Sequence, residues 1–359
     1  MDKLRVGVIG ATGMVGQRFV SLLSKHPWFE ISTLAASERS AGRTYSEAVN
    51  RKWAMDGPIP PELENIRVLE ASDIMGVSGR ADFVFCAVNM EKKALRSLEE
   101  AYAKAECPVV SNNSAHRSTP DVPMIIPELN AGHAHVITAQ RKRLGTRKGF
   151  IAVKSNCSIQ SYAPLLYPID KRFKLRRAVV CTYQAASGAG KTLSGYPGLR
   201  DNVIPYIPGE EEKSEQEPRK IWGRLEGGVI VPVETPVFSA RCIRVPVNDG
   251  HLAAVFANFE EKPDLNEIKT IWEQFMGAPQ ELELPSAPAR FIHYFEEPGR
   301  PQPKLDAGIE NGMAISAGGL REDAKHDISF IGLSHNTLRG AAGGAILLAE
   351  LLCKMGYIK

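Results

Sequence analysis

An α/β fold built on a parallel sheet is predicted for this chain by three observations. A β-branched segment, residues 4–9, runs directly into a glycine-rich turn and a helical pattern. Apolar strand candidates then alternate with helical stretches as far as Ser111, the order that a parallel sheet with crossover helices requires. The chain also has 359 residues, 43% hydrophobic and 24% charged, which suits a soluble globular protein of about two domains.

The first strand is Leu4-Arg5-Val6-Gly7-Val8-Ile9, and the turn after it reads Gly10-Ala11-Thr12-Gly13-Met14-Val15-Gly16. Glycines at 10, 13 and 16 allow a tight turn, close approach of backbone to a pyrophosphate and close packing of helix on strand. The helix N-terminus offers its free N–H groups to phosphate. A helix over residues 18–25 and a second strand over 31–36 complete the context expected of a dinucleotide site. At the end of that strand an NAD site usually places an acidic residue for the ribose 2′-hydroxyl. Here the chain reads Ala36-Ser37-Glu38-Arg39-Ser40, with Arg43 close behind. These hydroxyls and guanidinium groups suit a 2′-phosphate, which favours NADP, while the Glu38 carboxylate leaves NAD open.

Two further strands, 81–88 and 108–111, flank a helical stretch over 90–104. The segment Asn112-Asn113-Ser114-Ala115-His116-Arg117 follows the second of them, where open α/β sheets bind ligands. Turn chemistry is enough to explain Asn112 and Asn113, and solvation is enough for Arg117. Cys86 is expected to pack at a strand end rather than react.

The second half contains Lys154-Ser155-Asn156-Cys157-Ser158-Ile159-Gln160, a polar turn opening onto an apolar stretch. A cysteine at a helix mouth feels free backbone N–H groups and the positive dipole end, which favour thiolate over thiol. The competing reading is an inert buried cysteine. A strand over 177–184 ends at Gln184 and enters a small-residue loop containing Ser187 and Gly188. That loop lacks the spacing of a phosphate loop and suits close approach of a substrate or a nicotinamide ring to backbone. Glu210, Glu211 and Glu212 precede Lys213, an acidic first turn that a helix dipole explains without chemistry. Arg244 and His251 bracket a turn between two strand-like runs, which as neighbouring strands would bring the two side chains together. Residues 296–304 are proline-rich and read as an extended loop or interface arm. Asn336 precedes a long apolar helix over 338–352 and suits an N-cap.

Composition excludes several classes. The six cysteines, at 86, 107, 157, 181, 242 and 353, show no paired spacing, so neither a disulfide framework nor a zinc site is expected. A net charge of +3 without long basic runs argues against nucleic acid or membrane surfaces as partners. The N-terminus enters a strand at once, without the apolar core of a signal peptide, and a cytoplasmic protein is expected.

Taken in order, Gly10 to Gly16, Ser155-Asn156-Cys157-Ser158, Gln184, Arg244 with His251, and Asn336-Thr337 resemble the aspartate-semialdehyde dehydrogenase family over nearly the whole chain. Ser-Asn-Asn-Ser at 111–114 and Gly-Glu-Glu-Glu-Lys at 209–213 resemble its archaeal and fungal branch. The resemblance implies a Rossmann dinucleotide-binding domain over 1–155 and an α+β catalytic and dimerisation domain with a mixed sheet over 156–326. It also implies a C-terminal segment, 327–359, whose helix returns to the first domain, and a homodimer or homotetramer. The implied reaction interconverts L-4-aspartyl phosphate and NADPH with L-aspartate 4-semialdehyde, inorganic phosphate and NADP+. Cys157 would be the nucleophile and His251 the acid/base. Arg244, Gln184 and Glu210 would bind the substrate; Arg117 and Lys213 would bind phosphate; Asn156 would assist the backbone N–H of Cys157 at the oxyanion. Gly10, Thr12, Gly13, Met14 and Val15 would meet the pyrophosphate, and Ser37, Arg39 and Ser40 the adenosine side. Ser187, Gly188 and Asn336 would lie toward the nicotinamide, and Cys86 in the loop over the cofactor, where this chain departs from the more serine- or proline-rich loop of many relatives. Glu217 and Lys220 repeat the Glu-x-x-Lys spacing, so the sequence leaves two candidate pairs. Malonyl-CoA reductase and N-acetyl-glutamyl-phosphate reductase share the thioester logic, and a Cys–His thioester hydrolase or acyltransferase is the alternative from another class.

Overall fold

The computed structural model describes residues 3–359. Seven strands lie in the first domain: β1 (Leu4–Ile9), β2 (Phe29–Ala36), β3 (Leu69–Glu70), β4 (Phe83–Cys86), β5 (Val109–Ser111), β6 (Met124–Ile125) and β7 (Ile151–Lys154). They form one sheet in the order β3-β2-β1-β4-β5-β7-β6, and every ladder in it is parallel. β4 is buried along its whole length, as the last four residues of β1 are, which is why these strands read as continuous apolar runs. Strand order reverses between β1 and β4. The turn after β1 and the chain leaving β4 therefore lie side by side at the carboxyl edge, the crevice where open α/β sheets take ligands.

The helix after β1 spans Met14–Leu23 and starts four residues earlier than the apolar pattern indicates, with Gly13 as an extended N-cap. Gly16 lets it approach the turn, since a Cβ there would stand 2.1 Å from the Gly10 carbonyl oxygen.

The second domain holds β8 (Leu175–Gln184), β9 (Arg224–Glu226), β10 (Val229–Val231), β11 (Val237–Arg244), β12 (His251–Phe259), β13 (Ile292–Phe295), β14 (Ile315–Glu322) and β15 (Ile328–Ser334). Six of these form a mixed sheet in the order β11-β8-β12-β15-β14-β13, while β9 and β10 make a separate hairpin. Helices Ala163–Phe173 and Leu265–Gln274 cover one face, with Leu165, Trp272 and Phe330 buried between them and the sheet. The opposite face carries Val179, Cys181, Ser239, Arg241, Ala254 and Phe256, all wholly or partly exposed.

Two sequence expectations change here. β11 and β12 are not neighbours, because β8 runs between them. Arg244 still comes near His251, since β11 ends and β12 begins at the same edge of the sheet, with Gln184 paired to Arg244 at the end of β8. β15 lies inside the second sheet between β12 and β14, so the chain returns to the first domain after Ser334 rather than at residue 327. The helix Gly343–Lys354 then packs Ile346, Leu347 and Leu351 into the same core as Val8, Phe85 and Val110.

Candidate active site

β7 ends at Lys154, on the carboxyl edge of the first sheet, and the chain turns at once into Ser155-Asn156-Cys157. The Asn156 side-chain oxygen accepts from both the backbone N–H and the hydroxyl of Ser158, each at 2.8 Å. That closes the turn and commits the chain to a 3-10 turn over Ser158–Ser161 before the longer helix begins at Ala163. Cys157 is the residue before this turn, so it stands at a four-residue 3-10 segment and feels less dipole than a full α-helix would supply.

The thiol is correspondingly less acidic than the sequence suggests. Its sulfur is enclosed by protein although the residue is partly exposed, and burial raises its pKa, with the Glu210 carboxylate adding to the effect. Lys154, Arg117 and Arg244 pull the other way without cancelling the rise. Lys154 is itself buried, and burial brings its ammonium down to about 7.

His251 opens β12 and is fully buried. Its Nε2 lies 3.5 Å from Cys157 Sγ, and its Nδ1 accepts a hydrogen bond of 3.0 Å from the Ala185 backbone N–H. Burial, with Arg244 next, lowers the ring to about 3. Gly188 packs against this pair of side chains: a Cβ there would come within 2.7 Å of Arg244 Nη1 and 2.9 Å of His251 Nε2.

Arg244 donates from Nη1 to the Ala185 carbonyl at 2.7 Å, its one side-chain hydrogen bond among the described residues. The rest of the fork is left for an anion. Glu210 begins the helix Glu210–Ile221 and accepts from Lys213 Nζ at 2.7 Å, from Asn156 Nδ2 at 3.0 Å and from Gln184 Nε2 at 3.3 Å. Burial pushes its carboxyl up, but these partners outweigh it and hold the group below its ordinary value. Asn156 thus has its amide donors on Glu210 and its oxygen on Ser158, so it positions the turn, and the backbone N–H of Cys157 remains the donor at the mouth.

The two Glu-x-x-Lys pairs differ in what they hold. Glu210 lines the cavity around Cys157, with Lys213 on the wall of a larger cavity of about 550 Å³ next to it. Glu217 and Lys220 line that larger cavity as well, and Glu217 accepts from the Arg117 guanidinium at 2.9 Å and from the Asn156 backbone N–H at 2.6 Å. Lys220 donates to the backbone carbonyls of Arg117, Thr119 and Val122, a structural use of a buried cation. Arg117 lines both cavities.

The Cys157 cavity, of about 220 Å³, is also lined by Val15 and Ala87 from the first domain and by Ser187, Gly188, Asn336 and Gly340 from the remainder. Gly10 has a φ of +89°, and a Cβ on it would strike the Ala87 backbone at 2.7 Å. Its conformation and the close approach both require glycine. The first turn of the helix at Met14 has no acidic residue and no side-chain cap, so its N–H groups, next to Thr12 and Gly13, fit a dinucleotide pyrophosphate. Ser37 and Arg39 are exposed beyond β2, with Ser40 half-buried and bonded back to the Ser37 carbonyl at 2.8 Å.

Two placements differ from the sequence reading. The Cys86 thiol is fully buried beside Asn113, so Ala87 occupies the cavity wall where Cys86 was expected. Asn336 is not an N-cap: its oxygen accepts from the Gly250 N–H at 2.8 Å and its amide donates to Ser187 Oγ at 2.7 Å. It ties three loops together around the cavity.

Other contributors escaped sequence reasoning. Arg339 is buried and pairs through both Nη atoms with Glu128, while its Nε donates to Gln160 at 3.0 Å, and Gln160 in turn donates to Ser155 at 2.9 Å. This chain of contacts clamps both flanks of Cys157. Gly340 lies against Cys157, where a Cβ would stand 2.9 Å from the Cys157 Cβ. The repeated Glu-x-x-Lys spacing was the only sequence signal for Glu217; none existed for Arg339 or Gly340.

A dinucleotide-type crevice that shares one cavity with Cys157, with His251 next to the thiol, is the site of a two-domain dehydrogenase. Residues 5–137 match the family described as semialdehyde dehydrogenase, NAD binding domain, and residues 166–339 match semialdehyde dehydrogenase, dimerisation domain. The chain is 42% identical to an aspartate-semialdehyde dehydrogenase of Methanothermobacter thermautotrophicus, covering 97% of this chain and 99% of that one. It is 39% identical to the Aspergillus fumigatus enzyme, covering 99% of each. A crystal structure of aspartate semialdehyde dehydrogenase with NADP from Candida albicans superposes with a TM-score of 0.90 at 36% identity, covering 99% of this chain and 100% of that one. The chain belongs to the aspartate-semialdehyde dehydrogenase family.

Proposed function

We propose that this chain reduces L-4-aspartyl phosphate to L-aspartate 4-semialdehyde with release of phosphate, using NADP rather than NAD, in the biosynthesis of threonine, methionine, isoleucine and, in some organisms, lysine. The observation that carries the reading is the single cavity in which Val15 of the dinucleotide turn and Cys157 face one another. A hydrolase or acyltransferase needs no such neighbour.

Cys157 attacks the acyl carbon, phosphate leaves, and the resulting thioester splits one difficult substitution into two easier steps. The dinucleotide, when bound, supplies the hydride. Arg244 holds the substrate α-carboxylate with its free guanidinium N–H groups, and Glu210 takes the α-ammonium, for which its low pKa keeps it charged. Gln184, buried beside both, orients the substrate through its amide. Arg117 and Lys213 bind the phosphate where the two cavities meet. Ser37, Arg39 and Ser40 suit a 2′-phosphate because β2 ends at Ala36 and the residue after it is Ser37 in place of an acid. Among the described residues no cluster able to hold a metal ion exists, and no helix is long and apolar enough to cross a membrane.

The open face of the second sheet, with Val179 at 42% and Val237 at 55% exposure beside Ser239 and Arg241, is a mixed apolar and polar surface fit to meet a second copy of the chain. The assembly is therefore a homodimer, or a homotetramer built from it. Following NADPH formation from aspartate semialdehyde, with and without phosphate, tests substrate, cofactor and phosphorolysis together. Equal rates without phosphate, a preference for NAD, or turnover of malonyl-CoA in its place would overturn the respective parts.

A further inference from the structure

The helix Glu210–Ile221 carries its second Glu-x-x-Lys pair on the same face as the first, because residues 210, 213, 217 and 220 are spaced three and four apart. Lys220 places its ammonium on three backbone carbonyls, those of Arg117, Thr119 and Val122, at 2.9, 2.7 and 2.8 Å. Glu217 is buried and uses both carboxylate oxygens: Oε1 accepts from Arg117 Nη1 at 2.9 Å and Oε2 from the Asn156 backbone N–H at 2.6 Å. One carboxylate therefore touches both the cation assigned to phosphate and the turn that presents Cys157. The helix is itself pinned at this point. Pro218 lacks the N–H that would bond the Ser214 carbonyl, and that carbonyl accepts from the Tyr162 hydroxyl at 2.9 Å.

The Arg117 guanidinium is thereby held in one orientation. Its Nη1 is on Glu217 and its Nη2 donates to the Asn112 carbonyl at 2.9 Å, while Nε is buried and meets no acceptor among the described residues. The side-chain amide nitrogen of Asn112 is likewise buried and without a partner among them. Both residues line the Cys157 cavity, so unmatched donors stand on a wall where an anion would satisfy them. Glutamine in place of Glu217 could not hold this arrangement. It has one acceptor oxygen, and its NH2 would face a donor whichever way it was turned.

We propose that Glu217 is a positioning residue for the phosphate step: it orients Arg117 toward the anion and fixes the Asn156–Cys157 turn with the same carboxylate, so that leaving phosphate and attacking thiol keep one geometry. This rests on the dehydrogenase reading above and deepens it. The charge of Glu217 taken alone would have the contrary effect. A carboxylate 2.9 Å from the guanidinium weakens its pull on an anion, so removing that charge would tighten phosphate binding if Glu217 acted only through its field. Orientation of the guanidinium predicts the opposite sign.

Phosphorus-31 NMR titration of inorganic phosphate into the full-length protein, with initial rates of the phosphate-dependent reaction, reads that sign. Glu217→Gln should weaken phosphate binding and raise the phosphate KM about tenfold or more, while the KM for aspartate semialdehyde, set by Arg244 and Gln184, stays within about threefold. In the Arg117→Ala background the same substitution should have no further effect on phosphate, since no fork is left to orient. Unchanged or tighter phosphate binding overturns the proposal, as does an equal loss in both backgrounds, or a lower Tm with both KM values kept, which a purely structural carboxylate would give. A wild type that binds no phosphate overturns it too. Arg117→Lys tests the same point with Glu217 in place: the charge is kept and the fork is lost, so phosphate binding should again weaken about tenfold. Wild-type binding by that variant overturns the proposal even where Glu217→Gln does not fold. Absence of wild-type turnover with aspartate semialdehyde and phosphate would instead defeat the dehydrogenase reading and leave the NMR comparison standing.

Discussion

Cys157 and His251 form a pair in which neither partner is charged at rest: burial raises the thiol and lowers the imidazole. Both shifts come from one cause, the removal of the pair from water, and the nearby cations limit the first while Arg244 deepens the second. Cys157→Ser should lower kcat by about 10³-fold or more while NADPH binding, followed by its fluorescence, is retained. Retained turnover would remove the thioester from the mechanism. Arg244→Lys exchanges a fork for a point charge and should cost about 1.5–3 kcal/mol of carboxylate binding, read as a roughly 10- to 100-fold rise in the KM for the aldehyde.

The pH dependence of stability follows from the same residue. The folded His251 pKa of about 3 lies below the ordinary 6.5, so beneath pH 6.5 the unfolded chain binds a proton that the folded chain refuses. Stability is therefore lost as pH falls through that window. Thermal melts should show a steeper acid-side loss in wild type than in His251→Gln, and superimposable slopes would contradict the assigned shift. Lys154, at about 7 against an ordinary 10.5, works in the alkaline range with the same sign: stability rises with pH between the two values.

At the scale of elements, the glycine positions decide how closely loops approach the chemistry. Gly188→Ala places a methyl group 2.7 Å from Arg244 Nη1, so the guanidinium must shift. A displacement of about 1 Å can cost on the order of 10²-fold, and kcat/KM should drop with little change in Tm; wild-type kinetics would show that the loop yields freely. Local sequence made much of this level readable. The β1–turn–helix unit, β2, β4, β5, β8 and β12 all stand close to where β-branched runs and glycine turns put them. The two-residue strands β3 and β6 are too short for any periodicity. The helix after β1 begins at Met14 because Gly13 and Gly16, poor helix formers in themselves, are held there by packing on the turn.

For the whole molecule, the C-terminal segment is the tie between domains. Arg339 joins Glu128 of the first domain to Gln160 behind Cys157, and Glu350 on the last helix holds His26 at 2.7 Å and the Ser286 N–H at 3.0 Å. Arg339→Met leaves a buried carboxylate without its partner and should destabilise the fold by about 3–5 kcal/mol, seen as a large fall in Tm, and a neutral result would show that Glu128 finds another donor or a proton. Val179→Asp on the open sheet face should shift sedimentation toward the monomer without unfolding the chain; unchanged sedimentation would move the interface elsewhere.

The sequence by itself determined the fold class, the dinucleotide turn and the motifs that mark the family, because each rests on residues within a few positions of one another. Tertiary structure alone decided what depends on approach across the chain. β8 inserts between β11 and β12, so Arg244 and His251 meet at a shared sheet edge rather than across a hairpin. Glu217 stands behind Asn156 and Arg117, and Arg339 behind Ser155, through contacts that span from 61 to 211 residues. The His251 ring accepts from the Ala185 N–H, 66 residues away. Such distances carry no local periodicity, and the burial that shifts these groups exists only once the two domains have closed around them.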